Sequence, residues 1–208
     1  GGSSLADARQ VRKVLDIVKA NPAREYVVVS APGRRTAKDP KVTDLFYEWQ
    51  KLAQLNICSD EIQRVITGRY ADIIQGLGLT FDIKAAVEEI SRAIAGGASA
   101  DYAASRGEYL NGKIIAEALG YDFVDAATCI HFDAGGRLAD KDGKLQKALA
   151  GRRAVIPGFY GSQRGGAIKT FSRGGSDVTG AVVARAIHAE RYENWTDVSG
   201  LLMADPRI

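Results

Sequence analysis

The chain has 208 residues, of which 46% are hydrophobic and 25% are charged, and its formal net charge is +3. This balance is typical of a folded domain with a substantial core and excludes intrinsic disorder as the default. The basic residues are scattered without interleaved aromatic residues, and no apolar run approaches the length of a membrane span, so we expect no nucleic-acid partner and no membrane. Cys58 and Cys129 lack metal-ligand spacing and are predicted to be free thiols in a reducing cytoplasm.

Helical and strand patterns alternate along the chain. Apolar residues recur at helical spacing from Val11 to Val18, after Ser4 and Asp7, which are placed as a helix-start pair. The β-branched run from Tyr26 to Ser30 predicts a buried strand. Further helices are predicted at 42–55, 60–77, 83–94, 101–119 and 178–187, and further apolar runs at 121–126 and 154–157 flank a turn or hairpin at 132–136. The alternation predicts a layered α/β sheet.

The segment 169–177 contains Arg173-Gly-Gly-Ser-Asp177 and continues into a helical pattern. Its two glycines leave backbone amides uncovered, and a helix that opens at Ser176 and Asp177 favours an anion at its N-terminus. Arg173 is suited to bind a carboxylate through two parallel hydrogen bonds. The pattern therefore predicts a site for a phosphate or a small acidic substrate. The alternative is an ordinary strand-to-helix turn with a serine cap.

The segment 192–208 predicts a strand that ends at Trp195, followed by a polar loop. Ligands of open parallel sheets lie beyond the carboxyl ends of the strands, so Thr196 and Asp197 fall where a nucleotide or a metal is held. An Asp that bonds its own backbone in a turn is the alternative. The P-loop and protein-kinase strings do not occur in the sequence, so other glycines must hold any transferred phosphate. Gly1-Gly2-Ser3, directly before the first helix, is placed to do so.

Six strings in this order resemble the aspartokinases of the amino-acid kinase family. They are Gly1-Gly-Ser-Ser4, Val29-Ser-Ala-Pro-Gly33, Ser105-Arg-Gly-Glu108, Pro157-Gly-Phe-Tyr-Gly-Ser162, Ser172-Arg-Gly-Gly-Ser-Asp177 and Asn194-Trp-Thr-Asp-Val-Ser-Gly200. The resemblance covers essentially the whole chain. It implies a three-layer α/β/α sandwich with a mostly parallel central sheet, the amino-acid kinase fold, which is carbamate kinase-like.

The resemblance also implies roles for individual residues. Glu108 matches the glutamate that faces the amino group of the substrate, and Asp177 is implied as a catalytic residue near the phosphates. Other implied substrate-binding residues are Ser30, Thr43, Phe159, Arg173, Gly174, Gly175 and Ser176. The implied nucleotide-binding residues are Gly1, Gly2, Ser3, Thr196, Asp197, Leu202 and Arg207, and Leu202 stands where some relatives have tyrosine.

Structural roles are the alternatives for several of these residues. Ser30 and Thr43 are equally suited to cap helices or to lie in turns. Phe159 is alternatively a buried aromatic side chain, Glu108 a solvent-facing helical glutamate, and Asp177 a helix cap.

The implied activity is ATP-dependent phosphorylation of the side-chain carboxylate of L-aspartate, which gives 4-phospho-L-aspartate for lysine, threonine and methionine synthesis. ATP and Mg²⁺ are the implied cofactors, no metal-ligand residues are assigned, and the complete protein is expected to be a homodimer. The alternatives are a family member that acts on glutamate, acetylglutamate or a nucleoside monophosphate, and a non-catalytic fragment that binds nucleotide or a partner.

The resemblance implies further segments on both sides of this chain. In the family, a strand with a phosphate-contacting lysine precedes the Gly-Gly-Ser string. A second such lysine and tandem regulatory ligand-binding domains follow the position of Arg207. We therefore expect residues 1–208 to be a catalytic domain truncated at both ends, with little turnover because charge neutralisation dominates phosphoryl transfer.

Overall fold

The structure is a computed structural model, and it describes residues 1–139, 143–171 and 174–195. A short 3-10 helix at Gly2–Leu5 comes first. The α-helices are α1 (Ala8–Lys19), α2 (Val42–Gln54), α3 (Asp60–Leu77), α4 (Ile83–Ala95), α5 (Ala100–Leu119), α6 (Ala126–Cys129), α7 (Lys144–Leu149) and α8 (Gly175–Ala186). Within the described ranges, no helix combines the length and apolarity that a bilayer span requires.

The strands are β1 (Tyr26–Val29), β2 (Asp122–Phe123), β3 (His131–Phe132), β4 (Ala154–Pro157), β5 (Tyr160–Gln163) and β6 (Ile168–Thr170). In the described residues they form two three-stranded sheets, in the orders β1-β4-β2 and β3-β5-β6. Strand β4 pairs in parallel with β1 and with β2, and β3 pairs in parallel with β5. Only the pairing of β5 with β6 is antiparallel among these strands. The expected α/β fold with mostly parallel strands is confirmed.

Side chains of β4 alternate between two hydrophobic cores. Val155 packs in the core formed mainly by α1 to α5, whereas Ala154 and Ile156 pack in the core that contains residues of α6, α7 and α8. Because successive side chains of a strand point to opposite faces, β4 lies between two helical layers. This arrangement is the predicted three-layer sandwich.

Helix starts follow local capping chemistry. The Asp7 carboxylate accepts a hydrogen bond from the Gln10 N–H at the start of α1, whereas Ser4 lies in the preceding 3-10 helix. Of the expected helix-start pair, only Asp7 therefore caps α1. Ser99 caps α5 in the same way. Helix α8 begins at Gly175 with Gly174 as its N-cap, so the predicted opening at Ser176 is one residue late, and the serine cap of the alternative interpretation is not found.

The predicted strand ending at Trp195 is wrong. Residues 191–195 pair with no strand among the described residues and are held by other contacts. The Tyr192 hydroxyl donates to the Asp177 carbonyl, and Arg24 forms an ion pair of 2.8 Å with Glu193. Aromatic residues such as Tyr192 and Trp195 favour a strand only where a partner edge is available, and Tyr192 and Glu193 make side-chain contacts instead.

Candidate functional site

Helix α5 packs directly on the carboxyl ends of β1 and β4. A Cβ atom at Gly107 would lie 2.9 Å from the Ala31 Cβ atom, and one at Gly112 would lie 2.9 Å from Phe123 Cε2. Only glycine fits at such distances, so these residues let the helix backbone approach the sheet. The close approach places Glu108 and Asn111, one helical turn apart, beside the residues that follow β1.

Glu108 is buried, with 6% of its surface exposed. Burial raises its pKa from 4.5 to about 8, and hydrogen bonds from the backbone N–H groups of Ala31 and Glu108 and the charge of Arg106 partly offset that rise. Its Oε2 atom has no hydrogen-bond partner. A buried acceptor without a donor costs free energy, so this carboxyl group is set up to receive a donor that the described chain does not supply.

Asn111 is fully buried on the same side of α5. Its Nδ2 atom donates to the Ser30 carbonyl at 2.6 Å. The Ser30 carbonyl and the Ala31 N–H belong to the same peptide group, so Asn111 and Glu108 hold that peptide from its two ends. The Asn111 Oδ1 atom also has no partner. The structure therefore brings together Ser30 and Glu108, both predicted to bind substrate, and adds Asn111 to them.

The N-terminus of α2 lies next to this cluster. Val42 opens α2, and its Cγ1 atom would lie 3.4 Å from a Cβ atom at Gly107. Thr43 is half-buried in the first turn, and Lys41 at the N-cap provides no side-chain cap. The first N–H groups of the helix are therefore available to a ligand, so the position of Thr43 is compatible with substrate contact.

The turn after β4 packs against the start of α8. A Cβ atom at Gly158 would lie 2.7 Å from the Ser176 Cα atom, and one at Gly175 would lie 2.8 Å from the Phe159 Cα atom. Phe159 has a φ of 78°, which is unusual for a residue with a side chain and indicates local strain. The Thr179 hydroxyl accepts from the Phe159 N–H and fixes this turn.

The two clusters meet at one edge of the sheet. The Gly158 N–H donates to the Val29 carbonyl at 2.9 Å, and Val29 is in register with Pro157. Ser30 and Gly158 therefore follow neighbouring parallel strands. The structure thus brings Phe159, Gly174, Gly175 and Ser176 to the same edge as Glu108. Asp177 is exposed in the first turn of α8 and does not serve as its N-cap.

The N-terminal glycines form a separate contact with the loop after β1. The Gly33 N–H donates to the Gly2 carbonyl at 2.7 Å, and a Cβ atom at Gly33 would lie 2.5 Å from the Gly2 carbonyl carbon. Arg69, which is buried, donates to the Gly33 carbonyl. The amino group of Gly1 donates to the Trp195 carbonyl at 3.1 Å. Ser3 is exposed beside this contact.

Some predicted site residues lie outside the described residues. They are Arg173, Thr196, Asp197, Leu202 and Arg207.

Two further features bear on ligands. Among the described residues, no group of three or more His, Cys, Asp or Glu side chains is placed to hold a metal ion. A cavity of about 250 Å³ between α2, α3 and α4 is lined by Trp49, Cys58 and Ile94 among others, and none of its lining residues is a predicted site residue.

Comparison with known proteins decides the family. The sequence model described as "Amino acid kinase family" matches residues 1–208. The chain belongs to the amino acid kinase family. It is 35% identical over 223 residues to Aspartokinase 3 of Bacillus subtilis, covering 99% of this chain and 49% of that protein.

Solved structures agree with this assignment. The aspartate kinase of Clostridium acetobutylicum superposes with a TM-score of 0.94 at 49% identity, covering 100% of this chain and 49% of that one. Escherichia coli aspartokinase III in complex with aspartate and ADP matches with a TM-score of 0.70 at 27% identity, covering 100% of this chain and 50% of that one. The resemblance to aspartokinases is confirmed, and the chain spans about half the length of the curated relatives it matches.

Sequence reasoning missed Asn111 and Arg69. Asn111 lies three residues after Glu108, so helical spacing puts both on one face, and that spacing is the signal that could have found it. Arg69 lies in α3, whose buried residues recur at ordinary helical spacing, so its own position does not mark it as functional. Its contact with Gly33, 36 residues away, leaves no local signal.

Proposed function

We propose that this protein is an ATP-dependent kinase that phosphorylates the side-chain carboxylate of L-aspartate. The observation that carries the proposal is the buried Glu108 carboxyl group, whose Oε2 atom has no partner and whose pKa is raised to about 8. An α-ammonium group carries three N–H donors and a positive charge. It would give Glu108 Oε2 a hydrogen-bond donor and would stabilise the ionised carboxylate, which burial away from water disfavours.

The substrate lies, on this proposal, at the sheet edge between α5 and the start of α8. Glu108 binds its ammonium group, while Arg173 and the first N–H groups of α8 bind carboxylate. Ser30, Thr43 and Phe159 complete the enclosure. The support for this placement is that Ser30 and Gly158 follow paired strands and that Gly175 packs against Phe159. Two groups of opposite charge, set apart, select an amino acid over a simple diacid.

The reaction needs positioning more than acid–base catalysis. An oxygen of the aspartate side chain forms a bond to the γ-phosphorus of ATP as the bond from that phosphorus to the bridging oxygen of ADP breaks. The carboxylate is ionised and already nucleophilic, so no proton has to be removed from it. The products are 4-phospho-L-aspartate and ADP. The requirement is therefore alignment and neutralisation of charge on the transferred group.

The nucleotide is placed at the Gly1-Gly2-Ser3 segment, together with Thr196, Asp197, Leu202 and Arg207. The contact of Gly1 with Trp195, directly before Thr196, supports one common site for these segments. ADP is bound by the Escherichia coli relative, which supports a nucleotide substrate here. The close contact of Gly2 with Gly33 leaves no room for side chains, as a backbone phosphate site requires.

Mg²⁺ is proposed to reach the site with ATP. Mg²⁺ usually keeps several waters and binds through one or two carboxylates plus phosphates, so it needs no cage made of protein ligands alone. Asp177 is exposed at the start of α8, and we assign its carboxylate a catalytic role near the phosphates and their metal ion. The bound ion supplies positive charge against the phosphate oxygens. We also propose a cytoplasmic homodimer that serves lysine, threonine and methionine synthesis.

Capture of the product tests the proposal. Full-length protein is incubated with Mg²⁺-ATP and one acceptor at a time. ADP release is measured for every acceptor, and hydroxylamine captures the acyl phosphate formed from a carboxylate acceptor as its hydroxamate. We expect product with L-aspartate and much less with glutamate, acetylglutamate or a nucleoside monophosphate. Product with another acceptor alone would replace the assigned substrate, and nucleotide binding without any product would favour a non-catalytic role.

A further inference from the structure

Two buried oxygen atoms on α5 are left without hydrogen-bond donors. They are Glu108 Oε2 and Asn111 Oδ1. Both residues are among the buried polar side chains, with 6% and 0% of their surfaces exposed. Residues three apart on a helix lie on the same face, so the two atoms belong to one region of α5.

The remaining polar atoms of these side chains are satisfied by a single peptide group. Asn111 Nδ2 donates to the Ser30 carbonyl at 2.6 Å, and the Glu108 carboxyl accepts from the Ala31 N–H. This fixes the identity of the unpartnered Asn111 atom, since a carbonyl oxygen can only accept and the amide nitrogen must face it. Asn111 Oδ1 is therefore an acceptor held in a set orientation and waiting for a donor.

Asn111 is not explained by packing alone. Its Nδ2 atom has a structural partner in the Ser30 carbonyl, but its Oδ1 atom has none, and leaving a buried amide oxygen unsatisfied destabilises the folded protein. A ligand that brings N–H donors removes the cost when it binds. An ammonium group has three donors, which is more than Glu108 Oε2 can use by itself.

We propose that Asn111 is a specificity-determining residue whose Oδ1 atom accepts a hydrogen bond from the substrate ammonium group alongside Glu108. The inference rests on the proposed function, since it assigns a second acceptor in the same site. Asn111 has a second task, because its Nδ2 atom positions the Ser30–Ala31 peptide that in turn binds Glu108. It thereby selects an α-amino acid over the same molecule without nitrogen.

The test compares two ligands that differ in the ammonium group. Affinities of full-length protein for L-aspartate and for succinate are measured by calorimetry in the wild type, Asn111→Leu and Glu108→Gln. A lost hydrogen bond to a charged donor is expected to weaken aspartate binding by about 10- to 100-fold in Asn111→Leu. Succinate lacks the ammonium donor, so its affinity reports only the lost contact with the Ser30–Ala31 peptide, and aspartate should lose about tenfold or more affinity relative to succinate.

Asn111→Asp provides the conservative control. An Asp side chain keeps an acceptor oxygen in place of Oδ1, so this variant should keep the preference for aspartate over succinate that Asn111→Leu loses. If Asn111→Leu does not fold, the wild type still decides: the side-chain amide NMR signals of Asn111, assigned by their loss in Asn111→Asp, should shift with aspartate and not with succinate.

The outcomes separate the two proposals. A wild type that binds succinate as well as aspartate contradicts the ammonium site itself, and with it both proposals. A wild type that prefers aspartate, with the preference lost in Glu108→Gln but equal losses for both ligands in Asn111→Leu, overturns only the role of Asn111. Unshifted Asn111 amide signals in the presence of aspartate overturn it as well.

Discussion

The two ends of the candidate site are built in different ways. At α5, the end proposed to bind the substrate (the substrate end) consists of buried side chains with unsatisfied atoms, Glu108 Oε2 and Asn111 Oδ1. At the N-terminal end, Gly2 and Gly33 meet through their backbones, and Gly1 and Ser3 are exposed. Buried polar atoms discriminate strongly between ligands because a wrong ligand leaves them unpaired. Backbone amides bind any phosphate of suitable shape, so on the proposed function we expect the α5 end to set the selectivity.

The largest effect is expected from the titration of Glu108. Its carboxyl group holds a proton up to about pH 8 in the folded protein and only to about pH 4.5 when unfolded. The folded protein thus binds more protons between these values, and its stability falls as pH rises through that window. The decrease in the free energy of unfolding across this window is at most on the order of 5 kcal/mol.

Glu108→Gln should remove the loss of stability that accompanies the ionisation of Glu108 at high pH. We expect urea unfolding at pH 5 and pH 9 to show a smaller decrease in the free energy of unfolding for the variant than for the wild type. Identical decreases in the two proteins would mean that Glu108 is already ionised or solvated in the folded protein.

Arg173→Ala should weaken aspartate binding by roughly 2 to 4 kcal/mol and ATP binding far less, because a carboxylate of the substrate loses its two-pronged partner. Calorimetry of the full-length protein with each ligand measures both. Unchanged aspartate affinity would mean that Arg173 does not bind the substrate. Of the two proposed charged contacts to aspartate, only that of Glu108 would then remain.

Gly33→Ala should weaken nucleotide binding and lower the free energy of unfolding by roughly 1 to 3 kcal/mol. The added methyl group would lie 2.5 Å from the Gly2 carbonyl carbon and would push the two segments apart. Gly68→Ala in α3 is the matched control, since its Cβ atom meets nothing within 4 Å and alanine favours a helix. Equal nucleotide affinity in both variants would place the phosphates elsewhere.

The smallest effect is expected from Arg24→Ala. Arg24 pairs with Glu193 and lies 5.5 Å from the ring centre of Trp195, but the pair is partly exposed and contributes about 0.5 to 1 kcal/mol. We expect a change in tryptophan fluorescence with a small loss of stability. Arg64→Ala, which removes an exposed pair with Glu61, is the control and should leave the fluorescence unchanged.

The sequence predicted the long helices better than the short strands. The predicted bounds 60–77 match α3, which ends at Gly78 in the left-handed conformation that glycine favours, whereas Ser59 at its N-cap makes no side-chain cap. Strands β5 and β6 were not predicted, since they are short and β5 contains Gly161, a residue that disfavours strands. Glycine is needed there because a Cβ atom would lie 2.4 Å from the Ile130 carbonyl oxygen. Such strands depend on contacts that no local pattern contains.

The candidate site divides in the same way. Glu108 was found through its string, Ser105-Arg-Gly-Glu108, which stays contiguous in the sequence. Helical spacing puts Asn111 on the same face as Glu108, but its hydrogen bond with Ser30 joins residues 81 apart, so the local sequence does not show that contact. The roles of Thr196, Asp197, Leu202 and Arg207 stay predictions.

Strand β4 has a consequence for the way the domain opens. Val155 faces one hydrophobic core and Ala154 and Ile156 face the other, and the strand lies in the middle of its sheet. Neither helical layer can detach without exposing apolar side chains of β4 to water, so we expect the two layers to unfold in one cooperative step. The amide hydrogens of Val155 and Ile156 should therefore exchange with solvent only when the whole domain unfolds.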